Sequence, residues 1–524
     1  MTLSEEDVLW HKQNIPNTPF KDFEKIINVI GNGNGEAKTE EKQNKNEKGT
    51  PVTYLQKYSD NQILAEAVII GKEPCFLVSE NGIITPKKQI LDGDRIIQPF
   101  PSEMYINRPY IFKSINEVQQ YIEETKDVSL DSFYKTVKIV WKKYVDADDF
   151  HVSICAADTI FTYFQDKIGL THYLFFVGNA GSGKSNNLTV FQFLGYRNMT
   201  STGLSYANIY QFLGSGDEGI GTICEDEADN IDEDNEKMRI YKNGYTTGRP
   251  TTKTDTTYGR KQFKFNNFCF KAFAAERLPD SIKAKGFNQR ILEIPCVYGF
   301  PENDISEVAN PAGEEEFQYL LDELLETRNK LLIYRLQHHH EKIPNIKINL
   351  KNREKQLFKP VLRVFQKTGV LNELLPVISQ YVSKKREGNA NTLHAFLYNV
   401  VKNLIQTKNS YELETSDIWV SVIEDLEGRD IPGKPLSCET AEFGVISQKM
   451  IIQVMKDVFG ASPPKHHGSA RKLVFNADKF KKIGRVYELK TEVQISEGDD
   501  GTDGTDGTDS VSIGLDKHLN GEVE

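Results

Sequence analysis

The feature that most constrains this chain is the octapeptide GNAGSGKS at residues 178–185, which follows the apolar run Tyr173–Val177. It matches the phosphate-binding pattern G-x-x-x-x-G-K-[ST] at every defined position. A strand, a glycine-rich loop and a helix in this order surround a phosphate with backbone N–H groups and the positive end of the helix. The sequence therefore predicts a nucleoside triphosphate site in an α/β fold.

Each residue type in this loop has a chemical reason to be there. The glycines let the backbone approach the phosphates, Lys184 reaches the β- and γ-phosphates, and Ser185 is a ligand for Mg²⁺. An ordinary glycine turn after a strand is the competing interpretation. We expect ATP and Mg²⁺ as cofactors, with nucleotide contacts from Gly178, Asn179, Ala180, Gly181, Ser182, Gly183, Lys184 and Ser185.

A second segment, GTICEDEADN at residues 221–230, supplies the carboxylates that hydrolysis requires. If GTIC is a strand, Asp226 lies where it contacts Mg²⁺ through water, and Glu227 lies where it acts on the attacking water. Glu225 is the competing register, and the sequence leaves this choice open.

Arg290 begins the run RILEIP, which we expect to be the last strand of the sheet. An arginine here is either an ordinary surface cation or, in a ring of ATPases, a group that reaches the γ-phosphate of the neighbouring subunit.

The order of the loop, CEDEAD, KNGYTTGRP, ERLPD and FNQR resembles the AAA+ class of P-loop ATPases. More narrowly, it is similar to the superfamily 3 replicative helicases of viruses and plasmids, including the poxvirus-type primase-helicases. It is also similar to an uncharacterised domain of mobile-element ATPases, in which a segment like NREKQLFKPVL follows the nucleotide core. The resemblance covers about residues 165–380.

This resemblance implies roles for individual residues and an assembly. Asp226 and Glu227 become the acidic pair, Arg290 the arginine finger and Arg353 the lid arginine. The implied assembly is a homo-oligomeric ring, a hexamer. The chain departs from the helicase pattern at Glu276, which stands where those proteins carry an asparagine that senses the γ-phosphate.

A basic stretch separates the acidic strand from the sensor strand. Residues 237–264 hold eight Lys or Arg against one Asp. In the resembling helicases this interval carries a hairpin that projects into a central channel and binds single-stranded DNA. A solvated surface loop is the alternative. The predicted DNA contacts are Lys253, Arg260 and Lys261, and Tyr245 and Tyr258 are predicted to stack on bases.

A second basic region, residues 447–490, holds ten Lys or Arg against three acids. A helix, SQKMIIQVMKDVF, precedes two β-like runs, RKLVFN and GRVYEL, with the pair His466 and His467 in the intervening loop. This order predicts a winged helix that holds duplex DNA by its phosphates, with Arg471 and Lys472 as contacts.

The predicted fold class is α/β: an AAA+ P-loop NTPase core with an N-terminal α+β domain, a helical lid and a C-terminal winged-helix-like domain. The predicted regions are a helical segment and linker (1–52), the α+β domain (53–150), the core (151–300), the lid and helical region (301–440), the winged helix (441–495) and a disordered acidic tail (496–524).

The net charge of −11 does not exclude a nucleic-acid partner. Ten acids against one lysine lie after residue 490, so residues 1–490 carry only −2. The acidic start MTLSEEDVLWHKQN and the absence of a long apolar run favour a cytoplasmic protein without a membrane partner. The six dispersed cysteines favour buried, reduced thiols.

Together these patterns predict an ATP-driven DNA motor, a replicative-type helicase or translocase. The alternative is a non-motor AAA+ switch that binds DNA through its winged helix in a regulatory or defence role. A P-loop kinase is disfavoured, because the acidic strand and the downstream arginine are typical of oligomeric ATPases.

Overall fold

The structure is a computed structural model. It describes residues 52–101, 108–214, 221–255, 261–280, 284–350, 352–390, 393–427, 437–440, 444–462, 465–467, 470–484 and 495–497. The predicted N-terminal helical segment and linker, apart from Val52, and the acidic tail after residue 497 lie outside the described residues.

The N-terminal region is mixed α and β, as the sequence predicts. The Asn81–Gly82 turn joins two strands, and both of its residues have positive φ, 51° and 86°. Ser129 caps a helix by accepting a hydrogen bond from Ser132 N. The elements are β1 (Val52–Leu55), β2 (Lys57–Ser59), β3 (Ile63–Ile70), β4 (Glu73–Glu80), β5 (Ile83–Lys87), β6 (Ile90–Asp92), β7 (Arg95–Pro99), β8 (Ile111–Phe112), α1 (Ile115–Thr125) and α2 (Leu130–Tyr144).

The central region contains a five-stranded parallel sheet with the strand order β10-β11-β14-β9-β15. Four of its strands are the apolar runs that the sequence marks as buried, whereas the fifth, Asn198–Thr202, is mostly polar. The elements are α3 (Asp149–Thr162), α4 (Gln165–Ile168), β9 (Tyr173–Val177), α5 (Lys184–Leu194), β10 (Asn198–Thr202), α6 (Tyr206–Leu213), β11 (Thr222–Asp226), α7 (Asn235–Asn243), β12 (Thr251–Asp255), β13 (Lys261–Phe265), β14 (Phe270–Ala275), α8 (Lys285–Asn288) and β15 (Ile291–Pro295).

Helices and one short strand follow the sheet, and they share its hydrophobic core. One cluster of buried side chains runs from Leu64 in β3 through the sheet to Val382. The predicted boundaries at residues 150 and 300 fall inside this cluster, so these regions pack as one body. The elements are α9 (Ile305–Ala309), α10 (Glu315–His338), β16 (Ile346–Ile348), α11 (Asn352–Val364) and α12 (Val370–Ala390).

A buried network of charges also joins these regions. Arg335 of α10 donates to Glu66 of β3 (Nε to Oε1, 3.0 Å) and to Asp166 of α4 (Nη2 to Oδ2, 2.6 Å). Lys57 reaches the same carboxylate of Asp166 at 2.7 Å. Burial alone would raise the pKa of Glu66, but the charges of Arg197 and Arg335 hold it below its usual value. Breaking one partner of such a network leaves a buried charge uncompensated.

The C-terminal region has its own core, which extends from Leu397 to Phe480. It therefore begins before the predicted boundary at residue 441. Strands β17, β21 and β20 form an antiparallel sheet in that order. The elements are α13 (Leu393–Lys408), β17 (Glu412–Glu414), α14 (Thr415–Glu427), β18 (Ser437–Thr440), β19 (Gly444–Ser447), α15 (Gln448–Asp457), β20 (Lys465–His467), β21 (Ala470–Val474), α16 (Ala477–Gly484) and β22 (Ile495–Glu497), which pairs with β16.

Two details of this region differ from the sequence expectation. His466 and His467 lie in β20, which pairs with β21, so the first strand of the hairpin comes from the segment that was predicted to be a loop. The run predicted as the second strand lies mostly outside the described residues, and helix α16 precedes it. Pairing with β21 places both histidines in a strand, although their own preference for strands is weak.

Two further observations concern the whole described chain. None of its helices combines the length and apolar character needed to cross a lipid bilayer. Five cysteines are buried and free, namely Cys75, Cys155, Cys224, Cys269 and Cys296.

Candidate functional site

The glycine-rich loop connects the carboxyl end of β9 to the first residue of α5. Gly181 and Gly183 have φ of 78° and 80°, in the left-handed region that glycine tolerates best. A Cβ on Gly178 would lie 2.4 Å from the carbonyl oxygen of Cys296, so only glycine fits there. Asn179, Ala180 and Ser182 complete the turn. Asn179, Ala180 and Gly181 are exposed and Ser182 is buried, and the loop has the backbone that phosphate binding requires.

The first two side chains of α5, Lys184 and Ser185, contact the glycine-rich loop and the acidic strand. Lys184 Nζ donates to the Asn179 carbonyl at 3.0 Å, across the loop. Ser185 Oγ donates to Asp226 Oδ1 at 3.3 Å. Asp226 ends β11, which is separated from β9 only by β14. The fold thus brings together the loop and the acidic strand, which are about forty residues apart in sequence.

Neighbouring acids on β11 have different environments because strand side chains alternate between faces. Glu225 is 2% exposed, pairs with Lys237 and accepts a hydrogen bond from the Tyr241 hydroxyl at 2.8 Å. Burial raises the pKa of Glu225 even though Lys237 opposes this effect. Glu227 follows with a φ of 54° and an exposed side chain. Of the two registers that the sequence left open, the structure places Asp226 at Ser185.

Glu276 lies at the same edge of the sheet. It follows β14, between the loop and Asp226, and its backbone N–H donates to Asp229 Oδ1 at 2.8 Å. Its side chain is exposed. The carboxyl edge, defined here as Asp226, Glu227, Asp229 and Glu276 with the glycine-rich loop, therefore places four carboxylates near Lys184, with the exposed Arg277 next to Glu276.

The residues of the carboxyl edge fit a magnesium ion that is shared with phosphates. Among the described residues, no group of three or more His, Cys, Asp or Glu side chains is arranged to hold a metal alone. Mg²⁺ usually takes one or two protein oxygens, with phosphate and water oxygens completing its coordination. The hydroxyl of Ser185 and the carboxylate of Asp226 provide such a pair.

Arg290 lies at the opposite edge of the sheet. Its carbonyl accepts a hydrogen bond from Tyr173 N, the first residue of β9, at 2.9 Å. Its guanidinium carbon lies 4.0 Å from the centre of the Tyr245 ring. Five residues of strand, at about 3.3 Å each, separate this position from the glycine-rich loop. Arg290 and Lys184 of one chain are thus at opposite ends of β9.

Two further arginines accompany Arg290. Arg249 lies 5.3 Å from the Tyr245 ring centre. Arg353 is near enough for its charge to lower the pKa of Tyr245. We call Arg249, Arg290, Arg353 and Tyr245 the amino-edge cluster. The charge of Arg353 therefore acts on the same tyrosine that Arg290 stacks on.

The prediction that Tyr245 stacks on bases is wrong. Its side chain is 7% exposed and its ring is occupied by the two arginines. An aromatic residue in a basic stretch suits base stacking, but the sequence does not show that Arg290, just before β15, occupies the ring. Tyr258 and Arg260 lie outside the described residues.

The basic stretch forms an antiparallel hairpin of β12 and β13. Lys253 pairs with Glu236 at 2.6 Å and lies 4.6 Å and 4.8 Å from the ring centres of Tyr206 and Tyr210. It therefore faces the body of the protein. Lys261 begins β13, and its side chain is not among those described.

The other face of this hairpin is exposed. Thr252 lies opposite Lys264, and Thr254 lies opposite Gln262, so these four side chains share one face. All four are exposed. Lys264 was not singled out from the sequence. Side chains alternate between the two faces of a strand, so the pairing of Lys264 with Thr252 places Lys264 on the face opposite Lys253. That pairing is not visible in the sequence.

The predicted contacts of the C-terminal region lie on β21. Arg471 is exposed, and Lys472 pairs with Glu412 at 3.4 Å. Arg471 is therefore the more available of the two cations.

No protein-family model matches the chain, and no curated protein matches it. Among solved structures, it is similar to the A form apo structure of the NrS-1 C-terminal region, with 11% identity and a TM-score of 0.33, over 79% of this chain and 96% of that chain. It is similar to JCV Helicase with 11% identity and a TM-score of 0.23, over 42% of this chain and 60% of that chain.

A third similar structure is a full-length MCM homolog from Methanopyrus kandleri, with 11% identity and a TM-score of 0.24, over 53% of this chain and 57% of that chain. A parallel sheet with a glycine-rich loop between a central strand and a helix is an α/β fold of the nucleoside-triphosphatase type.

Proposed function

We propose that this protein is an ATP-hydrolysing DNA motor of the superfamily 3 helicase kind, built on an AAA+ core. The observation that carries the proposal is the contact of Ser185 with Asp226, 3.3 Å apart, beside a glycine-rich loop. A hairpin with an exposed polar and basic face lies between the acidic strand and β14. The proposed nucleotide site and the proposed DNA-binding hairpin are therefore both attached to strands of the parallel sheet.

In this proposal the residues of the carboxyl edge bind and orient ATP. The backbone N–H groups of residues 178–183 and the ammonium of Lys184 bind the phosphates. Ser185 and Asp226 would hold Mg²⁺, which would supply positive charge to the phosphates when bound. Glu227 accepts a hydrogen bond from the attacking water and orients it.

The amino-edge cluster acts on a neighbouring subunit. Arg290 is too far from its own loop to stabilise the transition state there, and its Nε and Nη1 are buried without a hydrogen-bond partner among the described residues. A head-to-tail ring brings the amino edge of one subunit to the carboxyl edge of the next. We propose a hexamer in which Arg290 and Arg353 reach the neighbour's ATP.

The hairpin face of Thr252, Thr254, Gln262 and Lys264 contacts the backbone of single-stranded DNA in the central channel. Threonine and glutamine side chains hydrogen-bond phosphates, and Lys264 adds charge. Lys253 then supports the hairpin from behind through Glu236. Lys261 and Arg260 remain predicted contacts.

The C-terminal region is proposed to bind duplex DNA as a winged helix. Helices α13, α14 and α15 precede the β20–β21 hairpin, and β17 completes the sheet. Arg471 on the hairpin is the leading phosphate contact. The proposal keeps the cytoplasmic location expected from the sequence.

The ATPase rate with and without single-stranded DNA tests the proposal. We expect DNA to stimulate hydrolysis and Lys264→Ala to reduce that stimulation. Lys88→Ala, at an exposed lysine of the N-terminal region, is the matched control and should leave it unchanged. Normal hydrolysis without stimulation would reject the motor and favour the non-motor DNA-binding switch.

A further inference from the structure

Tyr245 lies between the proposed DNA hairpin and the proposed arginine finger. Its ring faces the guanidinium of Arg290 at 4.0 Å and that of Arg249 at 5.3 Å. A cation over an aromatic face is attracted by the ring quadrupole, and the attraction grows when the pair is shielded from water. Tyr245 is 7% exposed, so this pair is shielded.

The ring is the main contact that orients Arg290. Nε and Nη1 of Arg290 have no hydrogen-bond partner among the described residues, although both are buried. A long side chain without such partners would sample several rotamers, and ordering it would cost conformational entropy. Stacking on Tyr245, together with a hydrogen bond between the two side chains, restricts the guanidinium to one plane, while Nε and Nη1 keep no hydrogen-bond partner among the described residues.

Tyr245 also belongs to the segment that leads into the hairpin. Residues 245–250 lead directly into β12. Asn267 ties the two sides of the hairpin base, because its Nδ2 donates to the Arg249 carbonyl at 2.8 Å and to Thr251 Oγ1 at 3.0 Å. The backbone of Tyr245 contacts the segment just before β9, where its carbonyl accepts a hydrogen bond from Thr171 N at 2.8 Å.

We propose that Tyr245 is a positioning residue that couples the DNA hairpin to Arg290. Displacement of the hairpin by DNA moves residues 245–250, and the stacked ring then moves the guanidinium relative to the neighbouring subunit's ATP. This inference rests on the proposed function, because it requires Arg290 to act across a subunit boundary. It goes further by naming the contact through which DNA controls hydrolysis.

Mixing inactive subunits tests this inference. Lys184→Ala removes nucleotide binding but keeps the arginine finger, whereas Arg290→Ala keeps the nucleotide site but lacks the finger. Mixed rings should recover DNA-stimulated ATPase activity. Adding Tyr245→Leu to the Lys184→Ala subunit should reduce the recovered rate about tenfold or more, because that subunit donates the finger. Adding it to the Arg290→Ala subunit should leave the recovery unchanged.

The outcomes separate the two claims. No recovery in the parental mixture would overturn the proposed trans action and the inference with it. Recovery that tolerates Tyr245→Leu in either subunit would overturn the inference alone. Equal loss in both arrangements would also overturn it, since a general folding defect has no such asymmetry.

Two further variants guard against a folding artefact. Tyr245→Phe keeps the ring and should retain most of the recovery when placed in the Lys184→Ala subunit. Burial alone would raise the pKa of the Tyr245 phenol, but hydrogen bonding with Arg290 and the nearby arginine charges lower it. With 3-fluorotyrosine at position 245, ¹⁹F NMR should therefore report a higher pKa in Arg290→Ala, and an unchanged pKa would contradict the contact.

Discussion

The two edges of the parallel sheet differ in charge, and each carries a different part of the proposed ATPase site. The carboxyl edge presents the glycine-rich loop with Asp226, Glu227, Asp229 and Glu276. The amino edge presents Arg249, Arg290 and Arg353 around Tyr245. One edge carries the proposed nucleotide site, where Arg277 follows Glu276 in an exposed position. The other has arginines but no phosphate loop.

This difference indicates how copies of the chain would assemble. Surfaces of opposite charge attract one another and favour one relative orientation. Acidic and basic surfaces at opposite ends of one sheet favour a heterologous, head-to-tail contact that can close into a ring. The nucleotide would then complete the contact, since its phosphates meet Lys184 from one side and Arg290 from the other.

The largest effect is expected at the carboxyl edge. Lys184→Ala removes the ammonium that meets the β- and γ-phosphates, so nucleotide binding and turnover should be lost. Binding of a fluorescent ATP analogue measures this directly. Lys88→Ala, an exposed lysine outside the edge, should bind normally. Retained binding in Lys184→Ala would show that the loop is not the nucleotide site.

At the amino edge, Arg290→Ala should slow turnover about a thousandfold, the lower range for loss of an arginine finger. Nucleotide affinity should change little, because the nucleotide is held mainly by the other edge. Single-turnover hydrolysis and equilibrium binding separate these quantities. Arg95→Ala, at a half-exposed arginine in the N-terminal region, is the matched control. A comparable loss of affinity would place Arg290 in ground-state binding.

A smaller effect, on stability, is expected between α7 and the hairpin. A Cβ at Gly244 would lie 2.2 Å from the Asn267 carbonyl oxygen, so Gly244→Ala forces the backbone apart. Overpacking of this kind costs about 1–3 kcal/mol, measurable by urea denaturation. Gly369→Ala, whose Cβ would meet only the Asp131 side chain, should cost less. Equal stabilities would show that the hairpin base is not closely packed.

The smallest effect is expected at Glu276. Its carboxylate repels phosphates, so Glu276→Gln should tighten ATP binding by about fivefold, equivalent to the roughly 1 kcal/mol between charges in a water-like medium. Titration calorimetry at several Mg²⁺ concentrations should show the gain shrinking as Mg²⁺ rises. Weaker binding would mean that the carboxylate itself helps to hold the metal.

Local patterns predicted the sheet well. Apolar runs identified β9, β11, β14 and β15, because buried parallel strands read as continuous hydrophobic segments. The glycine-rich loop was predicted because its backbone demands specific residues at fixed spacing. The roles of its residues, and of Arg290 and Arg353, stay predictions.

Features that depend on distant contacts were not predictable. Asp226 and Glu225 both suited the sequence, and the choice depends on Lys237 and Tyr241, which make Glu225 a buried partner. Tyr245 and Lys253 are predicted DNA contacts because they lie in the basic stretch between the acidic strand and the sensor strand. Each has partners on another element of the fold, and one sequence carries no signal of that proximity.

Unwinding of a forked DNA duplex tests the central claim most directly. We predict that the wild-type protein separates the strands only with ATP and Mg²⁺. Lys184→Ala and Arg290→Ala alone should not separate them, and their mixture should recover activity. Hydrolysis of ATP by the wild-type protein without strand separation or movement along single-stranded DNA would contradict the motor function.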